Sequence, residues 1–317
     1  MKKWAGGALL LGLAAIWAAF LGDLFWLDRL RRSGLSPDFV RHPYATAKSC
    51  GQCHSAQFTQ WAGSPHARAL GSLGPRQLNP GEKVENCLPC HAPEPVLQAG
   101  LEHPPLARAQ ERGDGVSCQS CHQLEKGVAA GPNPPPGACQ PHADGRLTSV
   151  ELCQACHNAH GTVDQWRQWS KSQPGRDCLS CHGGHEMAGA HDHNAVRGAL
   201  DLQLACLTDR VEVTVINRGA GHNIPSGRRS RELFLLVDFH SLDGTSGRYR
   251  ERLRNPFKGE PGSNTQLGPA ERRIYRYTKP ARPGWVEARL FYRFRPSPED
   301  EEGVLLLSRL RSFSAGR

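Results

Sequence analysis

The chain is poor in the residues from which a large core is built. Apolar residues make up 38% of its 317 positions and aromatics 7%, below the share of an ordinary globular protein. Burial of hydrocarbon alone therefore does not hold the whole chain together. Methionine is nearly absent, with Met1 and Met187 as the two examples. Acidic residues number 30 against 39 basic ones, for a formal net charge of +9. What the chain has in quantity is 12 cysteines and 15 histidines. Its length is sufficient for two domains of ordinary size.

The first residues stand apart. Lys2 and Lys3 precede an uncharged run from Trp4 to Gly22, 19 residues long, close to the roughly 20 that cross a bilayer as a helix. Trp17, Phe20, Phe25 and Trp26 crowd its far end, where aromatic rings favour the interface. Residues 1–28 read as a signal anchor or transmembrane helix, and residues 29–49 as a polar tether. A cleaved signal peptide is the alternative, but no small-x-small cleavage site precedes Asp23. Arg29, Arg31 and Arg32 run against the positive-inside rule. Both readings put the remainder in the periplasm, on the outer side of the cytoplasmic membrane.

Five Cys-x-x-Cys-His motifs follow: Cys50–Cys53–His54, Cys87–Cys90–His91, Cys118–Cys121–His122, Cys153–Cys156–His157 and Cys178–Cys181–His182. Two thiols three positions apart share one face of a helical turn, where both can reach the vinyl groups of one haem. The next residue then presents an imidazole to the iron. Paired zinc ligands would not need a histidine after every pair. The motifs predict five covalently bound haem c groups, with His54, His91, His122, His157 and His182 as proximal ligands. They span 133 residues from Cys50 to His182, too little protein to insulate five porphyrins from one another. The haems must pack closely and stand in for the missing apolar core.

Ferric haem with both propionates ionised carries about −1 and ferrous haem about −2, which would bring the chain to about +4 or about −1. The basic excess is thus mostly cofactor compensation, and nucleic acid is not an expected partner.

Ten histidines lie outside the motifs, and Met187 is the one non-initiator methionine. Six-coordinate haems here would be mostly bis-His, a ligation that favours low potentials compared with His/Met.

Several segments resemble the multihaem c-type cytochrome family that includes hydroxylamine oxidoreductase and its tetrahaem electron acceptor. They are the first motif with Gln60-Trp61-Ala-Gly-Ser64-Pro-His66, then Gly115-Val116-Ser117 before the third, Trp166 to Ser172 before the fifth, and His185-Glu-Met-Ala-Gly189 after it. Asn217-Arg-Gly-Ala-Gly221-His222-Asn-Ile-Pro225-Ser-Gly227 is similar to a Gly-His-x-x-Pro-x-Gly turn that follows the haems in family members. Together these segments lie within residues 50–230. By matched position the resemblance implies His66, His142, His185 and His222 as distal ligands. His103 competes with His42 and His160 for the last haem. His191 and His193 read as solvated, and His240, at the end of a strand, as structural. Cys139 and Cys206 are left over, either as a disulfide pair or as separate thiols.

Beyond residue 204 the character changes. Val211–Ile216, Glu232–Phe239, Arg273–Tyr277, Trp285–Tyr292 and Val304–Ser308 are short apolar or alternating runs separated by Gly, Pro and Asn, the pattern of a small antiparallel β-sandwich. The expected organisation is one N-terminal helix, a mostly irregular and α-helical pentahaem domain over 50–204, and a β-sandwich-like domain over 205–317. The expected function is electron transfer between redox partner proteins. One alternative is an oxidoreductase of nitrogen or sulfur compounds with one open-coordination haem. Against it, every motif ends in His and none in Lys. Another is a membrane quinol dehydrogenase, although 27 residues separate Gly22 from Cys50 and hold the first haem away from the bilayer. A third gives the β-domain a docking role.

Overall fold

The computed structural model describes residues 46–73, 83–124, 128–133, 139, 141–295 and 303–315. The expected anchor over 1–28 lies outside them, as does the expected tether over 29–49 apart from its last four residues. Among the described residues no helix is long and apolar enough to cross a membrane. The chain divides into two compact units, Met1–Leu152 and Cys153–Arg317.

In the first unit the elements are short. Helices α1 (Ala47–Gly51), α2 (Ser55–Gly63), α3 (Leu88–His91), α4 (Val96–Ala99) and α5 (Cys118–His122) alternate with turns, and α6 begins at Val150 and ends at His157 across the division. A two-residue parallel pair joins β1 (Ala130–Gly131) to β2 (His142–Ala143). Prolines explain the brevity, because each removes a backbone donor and restricts its predecessor. Pro95 caps α4 and Gly100 ends it with a positive φ of 91°. Apolar burial is local: Leu97, Ala130 and Leu147 form one cluster, with Leu101, Cys121, Leu124 and Leu152 packed against it.

The second unit continues with α7 (Thr162–Ser170), α8 (Cys178–Cys181) and α9 (His193–Ala199), then seven strands. Strands β3 (Leu200–Cys206), β4 (Arg210–Asn217) and β7 (Arg272–Thr278) form one antiparallel sheet in the order β3-β4-β7. Strands β6 (Ser246–Leu253), β5 (Glu232–Ser241), β8 (Gly284–Arg293) and β9 (Val304–Phe313) form the other, in that order. Val211, Val213 and Val215 of β4 join Leu233, Leu235 and Val237 of β5 and Val286, Ala288 and Leu290 of β8 in one buried cluster. The two sheets thus share a core. All five expected strand runs lie inside observed strands. β3 and β6 are additional, and β3 begins at Leu200, ahead of the boundary expected at 205.

The second face of the four-stranded sheet is also covered, which is why β5 reads as a continuous apolar run. Phe234 and Phe291 stack there with centroids 4.8 Å apart beside Leu236. Arg250 and Arg293 lie over the Phe234 ring at 5.1 and 4.1 Å. Glu232 is fully buried between Arg252 and Arg293, so the charges beneath this layer are paired.

Candidate cofactor-binding site

Each motif closes a helical turn. The backbone N–H of His54 donates to the Cys50 carbonyl at 2.9 Å, His91 to Cys87 at 3.0 Å and His182 to Cys178 at 2.8 Å. His122 and His157 end helices α5 and α6. Local capping fixes where these turns start. Thr46 accepts from the Ser49 N–H ahead of the first motif. Ser117 with Ser120, and Asp177 with Ser180, form capping boxes at the third and fifth.

Three motif histidines are oriented through their second nitrogen. His91 Nδ1 faces the Ala69 carbonyl at 2.7 Å, His122 Nδ1 the Ala130 carbonyl at 2.9 Å, and His182 Nδ1 the Ala188 carbonyl at 2.5 Å. A carbonyl oxygen can only accept, so each Nδ1 carries the proton and each Nε2 keeps its lone pair. Such second-nitrogen bonds orient an imidazole for metal ligation and raise its basicity. Paired thiols on one turn, a histidine oriented through Nδ1, and little apolar core nearby together fit covalent haem.

Motifs distant in sequence meet in the first unit. Cys50 lies beside Cys118, and their interaction lowers the pKa of Cys118 and raises that of Cys50. Burial pushes Cys121 up to about 11. The Ala47 N–H donates to Asp114 Oδ2 at 2.8 Å, tying α1 to the loop before the third motif.

His66 sits on the turn after α2. Its carbonyl accepts from the Val116 N–H at 3.0 Å, and Trp61 Nε1 donates to the Val116 carbonyl at 2.8 Å. Gly115 packs so closely on this turn that a Cβ there would lie 2.4 Å from the His66 oxygen. Burial lowers the pKa of His66, and the nearby His91 lowers it further. His66 therefore stands beside the second motif's histidine.

His142, exposed on β2, lines an open cavity of about 290 Å³ with Leu97, Leu124, Val128 and Arg146. It pairs in register with Ala130, whose carbonyl holds His122. His185 is half-buried in the turn after the fifth motif, and His103 is exposed in a turn before Pro104. His222 lies in the second unit beside His182, with ring centroids 6.3 Å apart. Its pKa is lowered by burial, a shift that the Asn223 carbonyl partly offsets and that His182 and Arg231 deepen.

Among the histidines first read as bystanders, His191 stacks on Phe294 at 4.6 Å and His240 on Trp285 at 5.2 Å. His193 is not the solvated residue expected, since its Nε2 is buried at the start of α9. His42 lies outside the described residues. Cys139 and Cys206 are both free, half-buried thiols. Cys139 lies near Cys53 and Cys50, and Cys206 near Lys279 and Arg311.

Arg108 escaped the sequence reading. It is 2% exposed and donates to the carbonyls of Pro93, Gln110, Glu111 and Gly115 and to the hydroxyls of Ser117 and Ser120. It anchors the capping box of the third motif. An isolated arginine in a loop gives no sequence signal for such a role.

A family model described as cytochrome c554 and c-prime matches residues 49–123, the span of the first three motifs. Over 92 residues the chain is 30% identical to cytochrome c-554 of Nitrosomonas europaea. That match covers 25% of this chain and 38% of the relative, so the chain spans about two fifths of the curated protein it matches. The fold is similar to the crystal structure of a penta-heme cytochrome c552 from Thermochromatium tepidum. The TM-score is 0.64 at 18% identity, over 86% of this chain and 99% of that one. The chain is therefore similar, in sequence over its first motifs and in fold over most of its length, to multihaem c-type cytochromes.

Proposed function

We propose that this protein is an electron carrier with five haem c groups attached at its five Cys-x-x-Cys-His motifs. The observation that carries the reading is one arrangement repeated along the chain: paired thiols and a histidine on a helical turn, with the Nδ1 of His91, His122 and His182 each held by a backbone carbonyl. Bound haem supplies a one-electron iron couple. The chain's thiols attach it, its motif histidines ligate it, and spare histidines close the sixth positions. The influence of His91 on His66 supports His66 as the candidate for the haem of His91, and the register of His142 with Ala130 supports His142 for that of His122. His185, His222 and His103 are the candidates for the remaining three haems. Close approach of the first and third motifs through Cys50 and Cys118 supports haem-to-haem transfer.

Acid-acetone extraction of the matured protein should leave the colour with the polypeptide, and its intact mass should carry five haem additions. A fully matured preparation with four or fewer would defeat the reading.

The run from Trp4 to Gly22 supports a second part of the proposal, retention at the periplasmic face of the cytoplasmic membrane, where redox partner proteins would meet it. The protein should stay with membranes through salt washing and leave with detergent. A soluble periplasmic form whose mature N-terminus follows residue 20 would remove the anchor and leave the haem assignment standing.

A further inference from the structure

The basic excess does not lie where haem would attach. Residues 50–204, which hold all five motifs, carry 11 Lys and Arg against 14 Asp and Glu. Residues 205–317 carry 21 against 13, and those 13 include the four consecutive acids at 299–302. The surplus is thus not compensation for haem charge, as its total suggested. Five haems would add about −5 when oxidised and about −10 when reduced to residues that are already acidic. The two-sheet segment would stay strongly cationic.

Within the second unit, part of that charge gathers at one end of the sheets. The β4–β5 and β6–β7 connections both leave there, because Ile216 pairs with Arg272 and Leu233 with Leu253. Ile224 and Leu267 join the two connections through reciprocal backbone bonds of 2.9 and 2.8 Å. Arg218, Arg229 and Lys258 are exposed on them and Arg231 is half-buried. The arginines donate to backbone carbonyls: Arg218 to Gly198 at 3.3 Å, Arg229 to Pro256 at 2.6 Å and Arg231 to Ser226 at 2.8 Å. Among the described residues none of the four cations forms an ion pair. The carboxylates of the β6–β7 connection are already engaged, Glu260 by Arg254 and Glu271 by Arg273. The charge of the four cations is therefore left for a partner.

The same end lies against the fifth motif. His222, in the β4–β5 connection, stacks over His182 with ring centroids 6.3 Å apart. The connection is held in place. Asn217, fully buried at the end of β4, donates to the His222 carbonyl at 3.0 Å. From α7, Gln165 Oε1 accepts from the Asn223 N–H at 3.1 Å. Loops fixed in this way need little ordering when a partner binds.

We propose that the end of the two sheets bearing Arg218, Arg229, Arg231 and Lys258 is the docking surface for an acidic electron-transfer protein, which exchanges electrons there with the haem attached at Cys178 and Cys181. The proposal rests on the electron-carrier reading above. An acidic partner is drawn to these cations and repelled by the net charge of the haem-bearing residues. Such steering speeds encounter more than it tightens a complex, which suits a partner that must leave after each transfer. One electron passes from the reduced partner to ferric iron, and no bond forms or breaks.

The test mixes the matured, full-length ferric protein with reduced flavodoxin, an acidic one-electron donor, in stopped flow. The second-order rate constant should fall as salt rises, because screening shortens from about 30 Å at 0.01 M to about 8 Å at 0.15 M. Arg218→Gln/Arg229→Gln/Lys258→Gln should slow transfer about tenfold at low salt and flatten that dependence. Arg210→Gln/Arg282→Gln/Arg311→Gln removes the same charge from the opposite end of the sheets and should change the rate less than about twofold. If the first variant does not accumulate, the exposed Lys258→Gln and the salt dependence of the parent decide. An unchanged rate in the first variant, or equal slowing in both, would overturn the docking surface. So would a parent rate that rises with salt, or no transfer from flavodoxin. Fewer than five haems in the parent protein would instead overturn the carrier reading.

Discussion

Cys50 and Cys118, 68 positions apart in sequence, lie close enough that each shifts the other's pKa, that of Cys50 upward and that of Cys118 downward. Each is the first thiol of its motif, so the edges of the first and third haems would be attached at adjoining points. Two porphyrins that close should couple optically. The reduced protein should show a two-signed Soret circular dichroism band. It should collapse in the Cys118→Ala/Cys121→Ala double variant, which lacks the third attachment. A single-signed band in the intact chain would exclude the close pair.

His66 should ligate the second haem, given its place beside His91. His66→Ala should turn one haem high-spin while all five stay attached, as read by electron paramagnetic resonance and mass. An unchanged low-spin count would remove His66 from the ligand set.

Arg108 should be the most sensitive non-motif residue of the first unit. Arg108→Leu leaves four buried or half-buried carbonyls and the Ser117 and Ser120 hydroxyls without their shared donor. The expected cost is about 3–5 kcal/mol. Arg108→Lys should recover little of it, since an ammonium cannot reproduce the planar fork. A melting temperature within about 2 °C of the parent would show the network to be idle.

Asp238 gives the four-stranded sheet an acid-sensitive element. Burial raises its pKa, but hydrogen bonds and charge from Arg248 and Arg289 outweigh that and hold the carboxyl below the ordinary aspartate range. The folded-state pKa is depressed, so the stabilisation is fully present above the unfolded value, about 3.9, and is lost as pH falls through the folded value. Melting temperatures measured below about pH 4 should fall with a slope that Asp238→Asn removes. Equal slopes in the two proteins would contradict the assignment.

Gly221 and Trp169 should be energetically coupled. Gly221→Ala drives a methyl into the indole and should cost about 1–3 kcal/mol. Trp169→Leu opens space for that methyl, so the double variant should be less destabilised than the two single effects added together. Additive costs would show that the α7–turn contact is not tight.

The motifs were legible in the sequence because haem attachment is local. Two thiols and an imidazole within five residues need nothing but one helical turn, and all five motifs sit on such turns. The strand runs were legible where burial imposes a pattern, as in Val211–Ile216 and Trp285–Tyr292. Strand β6 was not, because Ser246–Leu253 is an edge strand with an exposed, arginine-rich face, and such a pattern equally describes a loop. Strand β3 does alternate, with Leu200 and Leu202 buried and Gln203 outward. What places it with the sheets is its pairing to β4, which periodicity does not show. Sequence also could not pair the ligands. Fifteen histidines and five motifs leave many combinations, and the spacing of 40 residues between His182 and His222 carries no geometric information. Only the tertiary structure brings those two rings within 6.3 Å of one another, because the buried Asn217 and the α7 contacts hold the loop that carries His222. It decided Arg108 as well. A charge can enter the interior only where carbonyls and hydroxyls converge to receive it, and that convergence exists only in the folded chain.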